Sequence, residues 1–201
     1  MNTHYKIGIM GGTFNPIHNG HITLAQKAKE YLALDQVLFM PSGVSYMKHD
    51  VLSAEHRYRM TELAIEQYPE FQISDIEFKR VGNTYTVDTL ELLKEKNPDN
   101  HYYFIMGADS LYAIETWHEP GRLCQLCTIV CAVRDDYTLE SIKKQAEHLK
   151  DLFQADIVLL PMERIDISST DIRNACIAGK DVSALIPHIV VDYIERYHIY
   201  G

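Results

Sequence analysis

The sequence predicts an α/β fold, a mainly parallel sheet with helices on both faces, and two observations carry that prediction. Apolar runs of strand length recur at Lys6 to Met10, Val37 to Met40, Phe71 to Phe78, Tyr102 to Met106, Thr128 to Val133 and Ile157 to Leu160. Helical patterns lie between them, through Ile22 to Leu32, His56 to Gln67, Val87 to Glu95 and Leu139 to Phe153. Alternation of this kind sets parallel strands side by side under crossover helices, and it gathers ligands at the strands' carboxyl ends. The 201 residues suffice for a single domain with a substantial core, and no repeat, low-complexity tract or linker divides them.

Composition narrows the partners. Lys plus Arg is 19 and Asp plus Glu is 28, a net charge of -9. Neither nucleic acid nor an anionic membrane surface is drawn to such a chain, although a small anionic substrate can still be held by a few local cations. There is no charged and apolar leader and no apolar run near the ~18 residues of a membrane span, so a cytoplasmic protein is expected. Cys124, Cys127 and Cys131 fall in LCQLCTIVCAV, a helix end leading into a buried strand. No second pair follows at zinc spacing, and they read as small buried apolar side chains.

The first strand, Lys6 to Met10, runs straight into Gly11 and Gly12. Two glycines at a strand's end permit a tight turn and let a bulky group, such as phosphate, approach main-chain N–H donors. After Thr13, Phe14, Asn15 and Pro16 come His18 and His21, three residues apart at the start of a helical pattern. In one helical turn their imidazoles would share a face, beside the positive end of the helix dipole. Neither G-x-G-x-x-G nor G-x-x-x-x-G-K-[ST] is present, so a dinucleotide fingerprint and a P-loop are both poorly supported.

Later strand ends carry further candidates. The second strand leads to Pro41, Ser42 and Gly43 and then to Lys48, while Arg57 and Arg59 on the following helix read as a charged solvent face. Thr84, Tyr85 and Thr86 enter a helix after Gly82, where hydroxyls and free N–H groups can cap the helix or receive a carboxylate. Tyr102 to Met106 ends in Gly107 and Asp109, which could serve a ribose or cap a helix. Trp117 is the single tryptophan and lies in a helix-to-loop region; Arg134 closes the fifth strand. Following the acidic Glu140 to Asp151 helix, Ser168, Ser169 and Thr170 enter a helix with Arg173 about one turn in. Pro187 falls near the first turn of a short closing helix.

GGTFNPIHNGH near the start, with its terminal H-x-G-H, and ISSTDIR near the end together resemble the nucleotidyltransferase superfamily, and most of all the bacterial nicotinate mononucleotide adenylyltransferases. TYTVDT, Thr84 to Thr89, matches a third segment of that family. The resemblance spans Lys6 to nearly the C-terminus. It implies a Rossmann-like nucleotidyltransferase fold and the transfer of AMP from ATP to nicotinate mononucleotide, with Mg2+ on the ATP phosphates and no protein metal cluster.

The resemblance also assigns roles. His18, His21 and Arg173 are the implied catalytic residues, with Gly11 to Phe14, Gly107, Asp109 and Ser168 to Thr170 around ATP. Gly12, Asn15, Lys48, Thr84 to Thr86, Trp117 and Arg134 are implied around the mononucleotide, with Trp117 stacking on the pyridine ring. The approach to Lys48 is less proline-rich than in relatives, and His118 stands where they often have tyrosine.

Because the attacking phosphate oxygen is already anionic, no general base is required; positioning and charge stabilisation are the main catalytic terms. Oriented N–H donors at the TYTVDT helix should prefer a nicotinate carboxylate to a neutral carboxamide. Two other readings stay open: an adenylyltransferase for another acceptor such as phosphopantetheine, and a non-catalytic nucleotide-binding regulator. A homo-oligomer is compatible with the sequence.

Overall fold

A computed structural model describes residues 4–43, 51–80, 82–133, 138–163 and 165–201. Its strands are β1 Lys6–Gly12, β2 Gln36–Pro41, β3 Phe71–Ile73, β4 His101–Gly107, β5 Thr128–Val133 and β6 Ile157–Pro161. The helices are α1 Asn19–Leu32, α2 Ala54–Ile65, α3 Thr86–Lys96, α4 Ala108–Ala113, α5 Pro120–Leu126, α6 Leu139–Phe153, α7 Ser169–Ile177 and α8 His188–Arg196. Every strand pairing is parallel and the spatial order is β3-β2-β1-β4-β5-β6. This is the doubly wound arrangement, in which strand order reverses between β1 and β4.

Two apolar layers hold helices against the sheet. On one face Leu24 and Ala28 of α1, Met60 and Ala64 of α2, Ile172 of α7 and Val190 of α8 pack with Met10, Phe39 and Ile105. On the other, Leu90 of α3, Leu111 of α4, Leu123 of α5 and Ile142 and Leu149 of α6 pack with Ile9, Phe104 and Cys131. Successive strand residues feed opposite layers, as a period of two requires. Cys124 and Cys127 lie in the second layer, where burial pushes their thiols up to about 11 and about 12.

Local chemistry sets the helix limits. Ser53, Thr138 and Ser168 accept from the main-chain N–H of His56, Ser141 and Asp171 respectively, and so cap α2, α6 and α7. Helices α1 and α6 stop at Ala33 and Gln154, both in the left-handed region, with φ of 50° and 57°.

Three elements differ from the sequence expectation. Strand β1 continues through both glycines, so the turn begins at Thr13. The third strand ends at Ile73 rather than Phe78, because the Ser74 hydroxyl accepts from Ile76 N and the Asp75 carbonyl from Phe78 N, closing turns that leave the sheet. The helix-to-loop region around Trp117 contains α4, a 3-10 turn at Ile114–Thr116, and α5. Pro187 is the cap of α8, immediately before its first turn, as the sequence suggests.

The ladders explain where an opening forms. β1 pairs with β2 from Ile7 opposite Gln36 up to Gly12 opposite Pro41, but with β4 only from Lys6 opposite His101 up to Ile9 opposite Phe104. β4 meanwhile stays with β5 as far as Gly107 opposite Ala132. Beyond Ile9 and Phe104 the two halves of the sheet therefore part, and their carboxyl ends border a crevice.

Candidate active site

A cavity of about 840 Å³ opens at that parting. Its floor is main chain and small side chains from both halves: Gly11 and Gly12 from β1, Gly107 from β4. On β1 there is little room for side chains here. A Cβ on Gly12 would stand 2.9 Å from the ring of Phe14, and one on Gly11 would stand 3.2 Å from that of Phe104. Phe14 takes a left-handed backbone, φ 47°, with its side chain buried against Gly12.

His18 and His21 meet as expected. His18 is the extended cap of α1, φ -145°, and its N–H donates to His21 Nδ1 at 3.3 Å. That bond makes Nδ1 the acceptor, so in the neutral ring the proton sits on Nε2, which becomes a donor. The two rings stack with centroids 3.7 Å apart, and the Phe14 ring meets His21 edge-on at 5.0 Å. His21 lines the cavity, whereas His18 is buried and does not line it.

The C-terminal motif reaches the same place. Arg173 Nη1 donates to the Asn15 carbonyl at 2.7 Å, and Nη2 donates to Thr170 Oγ1 at 3.2 Å. The Ser169 hydroxyl donates to the Pro16 carbonyl at 2.9 Å. Ser169, Thr170 and Arg173 line the cavity beside Thr13, Phe14 and Asn15. Ser168 does not: its hydroxyl caps α7 and donates to Asp171 Oδ2 at 2.6 Å.

Asp109 lines the cavity next to Gly107, on the first turn of α4. Across from it stand Thr84, Tyr85 and Thr86 at the N-terminus of α3, with Trp117 and His118. The rings of Tyr85 and His118 lie tilted against each other with centroids 4.2 Å apart, and Trp117 meets Phe104 edge-on. Trp117 Nε1 is buried with no hydrogen-bond partner among the described residues. It is a donor on an aromatic wall of the cavity. Lys48 and Arg134 lie outside the described residues.

Three residues had no motif to mark them. Arg57, expected on a solvent face, is 3 % exposed: Nη1 donates to the Thr13 carbonyl at 2.8 Å, Nε to Leu52 O at 2.9 Å and Nη2 to Gly43 O at 3.3 Å. Burial lowers its pKa, a cost borne because the fork ties together two loops bordering the cavity. Arg59, by contrast, is exposed and paired with Glu62, as expected. Glu77 lies on the cavity wall and accepts from Gly43 N and Thr89 Oγ1, each at 3.2 Å. Tyr200 donates to Asn15 Oδ1 at 2.6 Å. Buried arginine is rare enough that only its distant carbonyl partners could have announced it.

The chain is similar to known proteins in sequence and in fold. Residues 9–175 match the family model described as cytidylyltransferase-like. A "Probable nicotinate-nucleotide adenylyltransferase" of Lachnoclostridium phytofermentans is 40% identical over 197 residues, covering 97% of this chain and 98% of its own. One of the same name from Dehalococcoides mccartyi is 40% identical over 201 residues, covering 97% of each. Plasmodium falciparum nicotinic acid mononucleotide adenylyltransferase complexed with NaAD shares the fold, with a TM-score of 0.82 at 24% identity over 98% of both chains. The same enzyme complexed with APC gives 0.79 at 23% identity. With most of its length inside the cytidylyltransferase-like model and near-complete coverage at 40% identity, the chain belongs to the nicotinate-nucleotide adenylyltransferase family of nucleotidyltransferases.

Proposed function

We infer that this chain, acting as a single domain, transfers AMP from ATP to nicotinate mononucleotide, giving nicotinate adenine dinucleotide and pyrophosphate in NAD biosynthesis. The observation that carries the reading is the convergence of His21, from the first motif, and Arg173, from the last, on one cavity at the strand-order reversal. Relatives at 40% identity that carry the name of this activity support it.

The mononucleotide phosphate attacks the α-phosphorus of ATP in line, and the bond to the pyrophosphate oxygen breaks. The nucleophile brings its own charge, so the residues' task is to align two polyanions and stabilise the added charge on the phosphoryl oxygens. His21 Nε2–H, with His18 stacked on it, donates to the transferring group. Main-chain N–H groups of Gly12 to Phe14 add dipoles there. Arg173 with Ser169 and Thr170, at the N-terminus of α7, holds the departing pyrophosphate. Ser168 acts through the cap that fixes that helix start. Gly107 and Asp109 take adenosine, and Mg2+ enters with ATP as part of the substrate.

Trp117 stacks on the pyridine ring, Thr84 to Thr86 receive its carboxylate, and Lys48 and Arg134 anchor the mononucleotide phosphate. The enzyme works in the cytoplasm; among the described residues no helix is long and apolar enough to cross a membrane. A coupled pyrophosphate-release assay with ATP and each acceptor tests the reading. Nicotinate mononucleotide is expected to be used at least about 10-fold better than the nicotinamide form, as one charge-assisted hydrogen bond would give. Equal rates would overturn the carboxylate capture, and turnover with phosphopantetheine alone would change the acceptor.

A further inference from the structure

Asn15 sits in the loop between β1 and α1, 7 % exposed, and lines the cavity. Both of its oxygens are engaged from the far end of the chain. Arg173 Nη1 donates to the main-chain oxygen at 2.7 Å, and the Tyr200 hydroxyl donates to Oδ1 at 2.6 Å. Tyr200 follows α8 in a left-handed conformation, φ 67°, packs against the apolar layer beneath, and does not line the cavity.

An amide has one accepting end and one donating end, set on opposite branches of the same carbon. With Oδ1 turned toward Tyr200, the Nδ2 group takes the other branch, and among the described residues it has no acceptor. The reverse orientation would leave the hydroxyl proton of Tyr200 without its acceptor, a costly loss in a half-buried place. Burial also pushes the Tyr200 pKa up, so that proton is retained across the working range of pH.

We propose that Tyr200 is a positioning residue for the transfer: it locks the Asn15 amide with Nδ2 toward the cavity, as a donor to a phosphate oxygen of the bound mononucleotide. The inference rests on the reaction inferred above and adds a residue outside the cavity that sets the polarity of one inside it. An acceptor at this point would repel the phosphate, whereas the locked donor attracts it.

Tyr200→Phe removes only the hydroxyl and keeps the ring packing. Calorimetric titration with nicotinate mononucleotide should show Kd raised about 3- to 10-fold, as loss of the one neutral hydrogen bond that fixes the amide would give, since Nδ2 itself remains. KM for the mononucleotide should rise in parallel, with KM for ATP within about twofold. Asn15→Asp keeps an acceptor for Tyr200 and replaces the donor by a carboxylate oxygen, so it should bind the mononucleotide no better than Tyr200→Phe. The double variant should be no worse than Asn15→Asp alone. An unchanged Kd in Tyr200→Phe, or near-normal binding by Asn15→Asp, overturns the proposal. Wild-type protein that binds the mononucleotide but releases no pyrophosphate would refute the reaction instead, and the Kd comparison would still decide the role of Tyr200.

Discussion

Gly20 lies against the imidazole of His18: a Cβ built on the glycine stands 3.0 Å from His18 Nδ1 and 3.1 Å from Cε1. Gly20 is inside α1, where alanine would ordinarily be worth about 0.5–1 kcal/mol of extra stability. Helix propensity and the histidine therefore pull in opposite directions. Gly20→Ala is expected to keep or raise the melting temperature while kcat falls at least about 10-fold, as a displaced first-turn group would cause. Thermal unfolding and pyrophosphate release on the same sample check both halves; unimpaired turnover would show that the close packing of His18 is not needed.

The stacked histidines give a second prediction. His18→Ala and His21→Ala should each lose about 10²–10³ in kcat while remaining folded. His21→Glu separates chemistry from capping. Glutamate at the third helical position can still accept the His18 N–H, as in a capping box, yet it presents a negative charge to the phosphates. Its circular dichroism should match wild type, and its transfer rate should be lower than that of His21→Ala.

Arg57→Lys tests the clamp between the two loops that border the cavity. An ammonium cannot reproduce a planar fork spread over Thr13, Leu52 and Gly43 carbonyls, so at least one bond is lost and a buried acceptor is left bare. The expected cost is about 3 kcal/mol. For a domain of this size that lowers Tm by roughly 6–12 °C, measurable by calorimetry. A Tm within two degrees or so of wild type would mean that the clamp carries little of the loop's stability.

Thiol reactivity should divide the cysteines. Cys124 is pushed from an ordinary value of 9.0 to about 11 by burial, so at pH 8 only about one molecule in a thousand carries its thiolate. Cys127, at about 12, is less reactive still. A disulfide reagent at pH 8 should modify Cys176, which is half-buried, and reach all four cysteines only in denaturant. The same shifts set a pH trend. Raised folded-state values mean that this contribution to stability is intact below about pH 9 and is lost as pH climbs toward 11 to 12. Urea midpoints should fall over that interval.

Much of the fold was legible because parallel strands buried on both faces read as apolar runs, and β1, β2, β4, β5 and β6 lie on the predicted runs. β3 was over-read for a physical reason: FQISDIEF keeps a period of two past Ile73, but the Ser74 and Asp75 turns use local acceptors that periodicity does not register. The meeting of His21 and Arg173 was legible because each belongs to a long ordered motif. Arg57, Glu77 and Tyr200 were not. Their partners, Thr13, Gly43 and Asn15, are main-chain or side-chain atoms brought close only by the finished sheet. Charge on a helix says nothing of distant carbonyls.

The separation of β1 from β4 past Ile9 and Phe104 has a consequence for how such a scaffold can change. The gap is drawn in backbone, so no single exchange of a wall residue abolishes it, and the room for a polyphosphate persists while the surrounding walls vary. On the function proposed above, selectivity among acceptors can then be rewritten in the cavity walls at the start of α3 and around Trp117 while the backbone gap stays as it is.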